Sequence, residues 1–186
     1  MPAHFDISTI LDGCRRGDRN SQRKLYEHFY GYGMSICLRY AHDKGEAAEI
    51  LNEGFFKALR NILQYDAGKP FRFWLRQIFV HTAIDHFRKR HNIPVPEELT
   101  LLHCLETDEM TDFEIDPDED VLPILQKLSP AYRTVFNLYV MEEYSHAEIA
   151  AMLGISAAAS RSNLTRAKEQ LREIWLKEHG FIKNRK

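Results

Sequence analysis

The sequence predicts an all-α protein made of two small helical domains joined by an acidic linker, the second domain a helix-turn-helix. Three observations carry that expectation. Apolar residues recur at helical spacing over most of the chain, and no alternating run competes for a strand. Helix start and stop residues stand where the periodic runs begin and end. Charge divides the chain into three blocks: fifteen basic against ten acidic residues in 1–91, none against eleven in 92–120, and ten against six in 121–186.

Residues 1–91 read as a helical bundle. Ile7, Ile10, Leu11 and Cys14 share one helical face, and Gly17-Asp18 breaks the pattern. Leu25, Phe29, Tyr32 and Ile36 repeat it in a second segment. Glu46 to Leu63 forms a third, with Ile50, Leu51, Phe55, Leu59 and Ile62 turned inward. Asp66 to Pro70 is a loop by composition, and Pro70 suits the opening of the next helix. That helix runs from Phe71 to about Arg90, with Leu75, Ile78, Phe79 and Thr82 on its buried side.

Residues 92–120 are interrupted by Pro94, Pro96 and Pro117 and read as a linker with room for one short helix. Such a segment either stays solvated and disordered or lies in a basic channel, and composition alone does not choose. Residues 121–186 are helical again. Val121 to Leu128 forms one helix. Ser129-Pro130 caps and opens another that carries Val135, Phe136 and Tyr139. Ser145 to Glu148 is a capping box opening a third, with Ile149, Ala150 and Leu153 inward. Gly154 stops it at the left-handed position. Ser156 caps a long last helix that reaches about Glu178.

Bulk composition narrows the function. The three cysteines are widely spaced and form no CxxC pair, so a disulfide framework is not expected and a reducing compartment fits. The first eleven residues lack the basic stretch and apolar run of a signal peptide, and no apolar run has membrane-crossing length. A cytoplasmic protein without membrane insertion is expected. His42, His81, His86, His91, His103 and His146 show no HExxH or paired metal spacing, and there is no Gly-rich phosphate loop. An enzyme, a metal, a cofactor and a small-molecule substrate are therefore not expected.

The two basic blocks suit nucleic acid. Around the Gly154-Ile155-Ser156 turn, one helix ends and a second begins, the pattern of a helix-turn-helix. On the second helix Leu164, Ala167, Leu171 and Ile174 make one stripe; Arg161, Ser162, Thr165 and Arg166 stand opposite, where arginine suits guanine edges and hydroxyls suit phosphates or bases. A helical hairpin with a solvated charged face has the same pattern. The run Phe71-Arg72-Phe73-Trp74-Leu75-Arg76-Gln77, followed by Asp85 to Arg90, interleaves aromatics with arginines as single-strand binding requires; for any one of these aromatics, Phe71 and Trp74 included, a place in the core is the first reading. Glu46, Glu49, Asn52, Glu53 and Lys57 step along the polar face of the third helix, facing either a partner or water.

Taken together these stretches resemble the extracytoplasmic-function group of sigma-70 RNA polymerase sigma factors. The residues that carry the resemblance are Ala47 to Leu59, Phe73 to Ile78 with Thr82 to Asp85 and Arg88, Leu128 to Phe136, Tyr144 to Ser156, and Ser162, Leu164, Arg166-Ala167-Lys168 and Leu171. They cover nearly the whole chain in the family's order. The resemblance implies that 1–91 is a region 2 domain, 92–120 a linker threading the basic interior of the polymerase, and 121–186 a region 4 domain. It assigns core polymerase docking to Glu49, Asn52, Glu53 and Phe56. It assigns melting and holding of the −10 element to the loop before Phe71 and to Phe71, Arg72, Trp74, Arg76, Gln77, His81, Asp85, Arg88 and Lys89. It assigns −35 duplex recognition to Ser156, Ala158, Ala159, Arg161, Ser162, Thr165, Arg166 and Lys168. Core RNA polymerase, promoter DNA and an anti-sigma factor are the implied partners.

The sequence departs from the family in places, mildly at Ser129 and more at two others. Ala157-Ala158-Ala159 stands where Gly-Thr is usual, which favours helix but removes a threonine-type phosphate contact. His81 stands where the family has Asn. The rival reading from another class is a helix-turn-helix repressor with a helical sensor domain. It accounts for 121–186 but not for the match from Glu46 to Arg90, and it predicts a two-fold dimer on a palindrome.

Overall fold

The computed structural model describes residues 6–91 and 122–179; the acidic segment 92–120, with the short helix expected in it, lies outside the described residues. Every regular element among them is helical: α1 Ile7–Arg15, α2 Arg19–Tyr40, α3 Lys44–Arg60, α4 Phe71–Arg90, α5 Leu122–Leu125, α6 Pro130–Phe136, α7 His146–Leu153 and α8 Ala157–His179. The chain divides into two compact units between His86 and Phe87, so α4 runs across that division.

In the first unit three helices start on an aspartate. Asp6, Asp18 and Asp43 each accept from a backbone N–H of the first turn, at 3.1, 2.9 and 2.9 Å. This satisfies donors that a helix start otherwise leaves without a partner. Helix α3 stops at Arg60, short of the expected Leu63. A 3-10 turn, Ile62–Gln64, follows, burying Ile62 and leaving Leu63 exposed. Ala58 rather than Leu59 is the fully buried residue of the last α3 turn.

Helices α2, α3 and α4 meet around Phe79. Its ring packs edge-on against Phe55, with centroids 5.2 Å apart. It also lies over two glycines on neighbouring helices. A Cβ on Gly54 would come within 2.5 Å of the Phe79 ring, and one on Gly33 would collide with Leu51 and Phe79. Both positions need glycine for close approach, despite its cost in a helix of about 1 kcal/mol. Cys14 and Cys37 are buried free thiols. Burial pushes Cys37 up to about 12, so both behave as small apolar filler.

In the second unit the expected helix Val121–Leu128 is only one turn long, Leu122–Leu125, with Pro123 inside it. Ser129 caps α6 by accepting from the Tyr132 N–H at 3.4 Å. The helix expected to continue through Tyr139 instead widens into a π turn, Asn137–Met141. There the Glu142 N–H reaches back to the Asn137 carbonyl at 3.1 Å. Such widening moves a side chain off the regular stripe. Tyr139 is accordingly half-buried and turned toward His146. The capping box is present: the Ser145 hydroxyl accepts from the Glu148 N–H at 3.3 Å, and the Glu148 carboxylate accepts from the Ser145 N–H at 2.8 Å. Gly154 ends α7 at φ 66, ψ 33, and Ser156 opens α8 by accepting from the Ala159 N–H at 3.0 Å. Val135, Phe136, Leu138, Ile149, Leu153, Leu164, Ala167 and Leu171 form this unit's core.

Candidate nucleic-acid interface

The turn from Gly154 to Ser156 delivers α8 with its buried stripe and polar stripe as expected. Leu164, Ala167 and Leu171 are buried, while Arg161, Ser162, Thr165 and Arg166 are exposed on the far side. Ala158 is exposed too; Ala159 and Lys168 are half-buried. Two of the polar residues have local engagements. The Thr165 hydroxyl donates to the Arg161 carbonyl at 3.1 Å, and Arg166 donates to the Tyr132 hydroxyl at 3.4 Å. Ser160, absent from the sequence expectation, is fully buried and lies 2.9 Å from the His146 imidazole. Its position four residues before Leu164 is the signal that places it on the inner stripe.

The imidazole of His146 stacks on Tyr139, with centroids 4.5 Å apart at 21°. Burial, with Arg161 and Lys168 adding repulsion, holds its pKa below the ordinary 6.5. The folded protein thus favours the neutral ring more than the unfolded chain does. This contribution to stability is intact above pH 6.5 and is lost as pH falls below it toward the folded-state pKa. Thermal melts between about pH 7.5 and 5.5 should therefore show a smaller acid-side decline in His146→Asn than in the wild type; parallel declines would reject the assignment.

Helix α4 presents the aromatic and basic run. Phe71 is buried, the core placement that the sequence offers beside base stacking. It packs on Phe29, Tyr65 and Trp74 with centroids 5.4, 5.2 and 5.5 Å away. It shares the inner stripe with Leu75, Ile78 and Thr82. Trp74 is half-buried beside Tyr65, with centroids 5.4 Å apart. Phe73, part of the aromatic run but not among the residues assigned to the −10 element, is 62% exposed. Arg72 lies 4.1 Å above the Tyr32 ring, and the Tyr32 hydroxyl donates to the Arg72 carbonyl at 3.3 Å. Arg76 and Gln77 are half-buried, and His81 Nδ1 sits 2.7 Å from the Gln77 carbonyl. Lys89 lies exposed in the last turn, where a cation complements the helix dipole, while Arg88 in the same turn is fully buried. An exposed ring, a half-buried indole and arginines on one helix are the kinds of group that single-strand binding uses.

On α3, Glu49, Asn52 and Phe56 lie exposed at helical spacing, Phe56 by 63%. Asn52 accepts from the Tyr26 hydroxyl at 2.9 Å. Glu53 faces inward by comparison, 3.1 Å from Lys57 and 2.7 Å from His86. Lys57 reaches across to Asp85 on α4 at 2.8 Å. Burial alone lowers the Lys57 pKa, but the Asp85 and Glu53 carboxylates outweigh it and raise the net value. Lys57→Met is expected to cost about 1 kcal/mol in urea unfolding, because the network remains partly open to solvent. The loss should shrink in about 1 M salt.

The sigma-70 region 2 family model matches residues 25–93, and the sigma-70 region 4 model matches residues 119–171. The chain is similar to the RNA polymerase sigma-H factor of Pseudomonas aeruginosa, 24% identical over 173 residues, covering 87% of this chain and 90% of that protein. It is similar to the ECF RNA polymerase sigma factor SigW of Bacillus subtilis, 25% identical over 178 residues, covering 90% of this chain and 95% of that protein. A solved structure of RpoE with the anti-sigma factor NepR from Bartonella quintana matches with TM-score 0.46 at 17% identity, covering 81% of this chain and 94% of that one. Among the described residues no helix is long and apolar enough to cross a membrane. The two family models fall in order on the two helical stretches, and with the relatives they place the chain in the sigma-70 family of RNA polymerase sigma factors, in its extracytoplasmic-function group.

Proposed function

We propose that the chain acts in the cytoplasm as a non-catalytic initiation factor that binds core RNA polymerase and reads a promoter in two places. Residues 121–186 take the −35 element as duplex through α8. Residues 1–91 dock the polymerase through Glu49, Asn52, Glu53 and Phe56, and hold the melted −10 strand with α4. The acidic 92–120 segment supplies negative charge to a basic channel. An anti-sigma factor completes the partners.

The observation that carries the reading is α8. A polar stripe of Arg161, Ser162, Thr165 and Arg166 stands exposed immediately after a tight turn, backed by a continuous apolar stripe. That arrangement presents donors to a major groove. On α4, Phe71 supports the aromatic cluster from inside, leaving Phe73, Trp74, Arg72 and Arg76 as the groups nearer a strand.

Purified chain mixed with core polymerase of its source organism tests this by co-elution and run-off transcription. Stable binding and promoter-specific initiation are expected. Phe56→Ala and Glu49→Lys should weaken co-elution while leaving the melting temperature nearly unchanged, since both side chains are exposed. Failure to bind competent core, with two-fold binding to a palindrome instead, would establish the repressor reading.

A further inference from the structure

We propose that His146 is a positioning residue for DNA recognition: held between the Tyr139 ring and the Ser160 hydroxyl, it sets the angle at which α8 presents its polar stripe. The inference rests on the reading of α8 as the duplex-contacting helix.

Three elements converge on this one side chain. His146 is the first residue of α7, and its backbone is held by the capping box of Ser145 and Glu148. Tyr139 comes from the π turn and stacks on the ring at 4.5 Å. Ser160 comes from the first turn of α8, its hydroxyl 2.9 Å from Nδ1 and its N–H bonded to the Ser156 carbonyl at 3.0 Å. A hydrogen bond between a half-buried imidazole and a fully buried hydroxyl is directional in a way that the surrounding apolar packing is not. It therefore adds a directional restraint on rotation and tilt to the packing of Leu164 and Ala167.

The position makes a small error costly. Ser160 precedes Arg161 by one residue and Arg166 by six, the latter about 9 Å along the axis. A tilt of roughly 10° about Ser160 displaces Arg166 by about 1.5 Å, well beyond the tolerance of about 0.5 Å for a precise polar contact. Phosphate attraction is long-ranged and survives such a shift; base-edge hydrogen bonding does not. Burial and the neighbouring Arg161 and Lys168 keep the ring toward its neutral form, so it enters the bond without adding a charge to this face.

The test uses the full chain bound to core polymerase. Duplexes are first selected from a random pool with the wild-type complex. Affinity is then measured for a selected and a scrambled duplex across a salt series. Ser160→Ala is expected to lower the selected-to-scrambled ratio about five-fold, the scale of one withdrawn hydrogen bond. The salt slope should stay unchanged, because every cation on α8 is retained. His146→Ala should match it, and the double variant should lose no more than either single one. His146→Asn, which keeps a polar atom near Nδ1, should recover most of the ratio. A helix-packing role would instead lower the melting temperature and leave the ratio of the folded protein intact. An unchanged ratio in Ser160→Ala, or losses that multiply in the double variant, overturns the proposal alone. A wild-type complex that selects no duplex removes the α8 reading and the proposal with it.

Discussion

Phe79→Ala is expected to destabilise the first helical unit by about 3–5 kcal/mol. Phe79 is fully buried, and its ring occupies the space left by two glycines on different helices. Truncation would open a cavity that cannot collapse, because Gly33 and Gly54 carry no side chains to move into it. At roughly 4–8 °C per kcal/mol for a unit of this size, the melting temperature should fall by on the order of 15 °C or more. A double-mutant cycle gives the sharper check. In the wild type, Gly54→Ala brings a Cβ within 2.5 Å of the ring, and overpacking of this kind costs about 1–3 kcal/mol. Without the ring, the same substitution should become neutral or stabilising by up to about 1 kcal/mol, through helix propensity alone. Additive losses would mean that the glycines are not there to admit Phe79.

Arg161→Ala is expected to lower affinity for the −35 duplex by about 1–3 kcal/mol, which is roughly 5- to 150-fold. Arg161 lies exposed one turn into α8, beside Ser162 and a turn before Thr165 and Arg166. Alanine keeps the helix, so thermal unfolding should change little. Salt titration separates two modes of action. If Arg161 reads a base edge, discrimination at one base pair relaxes and the salt slope holds. If it neutralises a phosphate, affinity falls uniformly and the slope drops by about 1. The substitution has a second consequence inside the protein. Arg161 is one of two cations that hold the His146 pKa down, so its removal should lessen the acid-side loss of stability. An unchanged −35 affinity would remove α8 from the interface.

Much of this protein was legible before any tertiary contact. The cap at Ser145, the stop at Gly154 and the start at Ser156 each depend on two to four neighbouring residues. Local steric and hydrogen-bond rules reach that far. The separation of Leu164, Ala167 and Leu171 from Arg161, Ser162 and Arg166 follows from 3.6-residue periodicity alone. The charge blocks and the ordered family stretches came from the same reading, and the family is the one the comparisons support.

What local rules left open was decided where long-range packing competes with propensity. Phe71 looks like a stacking residue in its run of aromatics, yet Phe29 and Tyr65 from other segments close over it. The helix expected through Tyr139 widens at Asn137, and no local breaker in the sequence announces that. Glu53 sits on the polar stripe of α3 by periodicity, but Lys57 and His86 draw it into an ion network with α4. The sequence by itself determined the all-helical class, the caps at Ser129, Ser145, Gly154 and Ser156, the two stripes of α8 and the family. Only the tertiary structure decided which aromatic is covered, that Ser160 meets His146, and that two glycines admit Phe79. Helix periodicity and capping are settled within a few residues of chain. Pairings across 14 to 33 residues, such as His146 with Ser160 or Glu53 with His86, depend on how helices dock, and docking is set by the shape of the whole core.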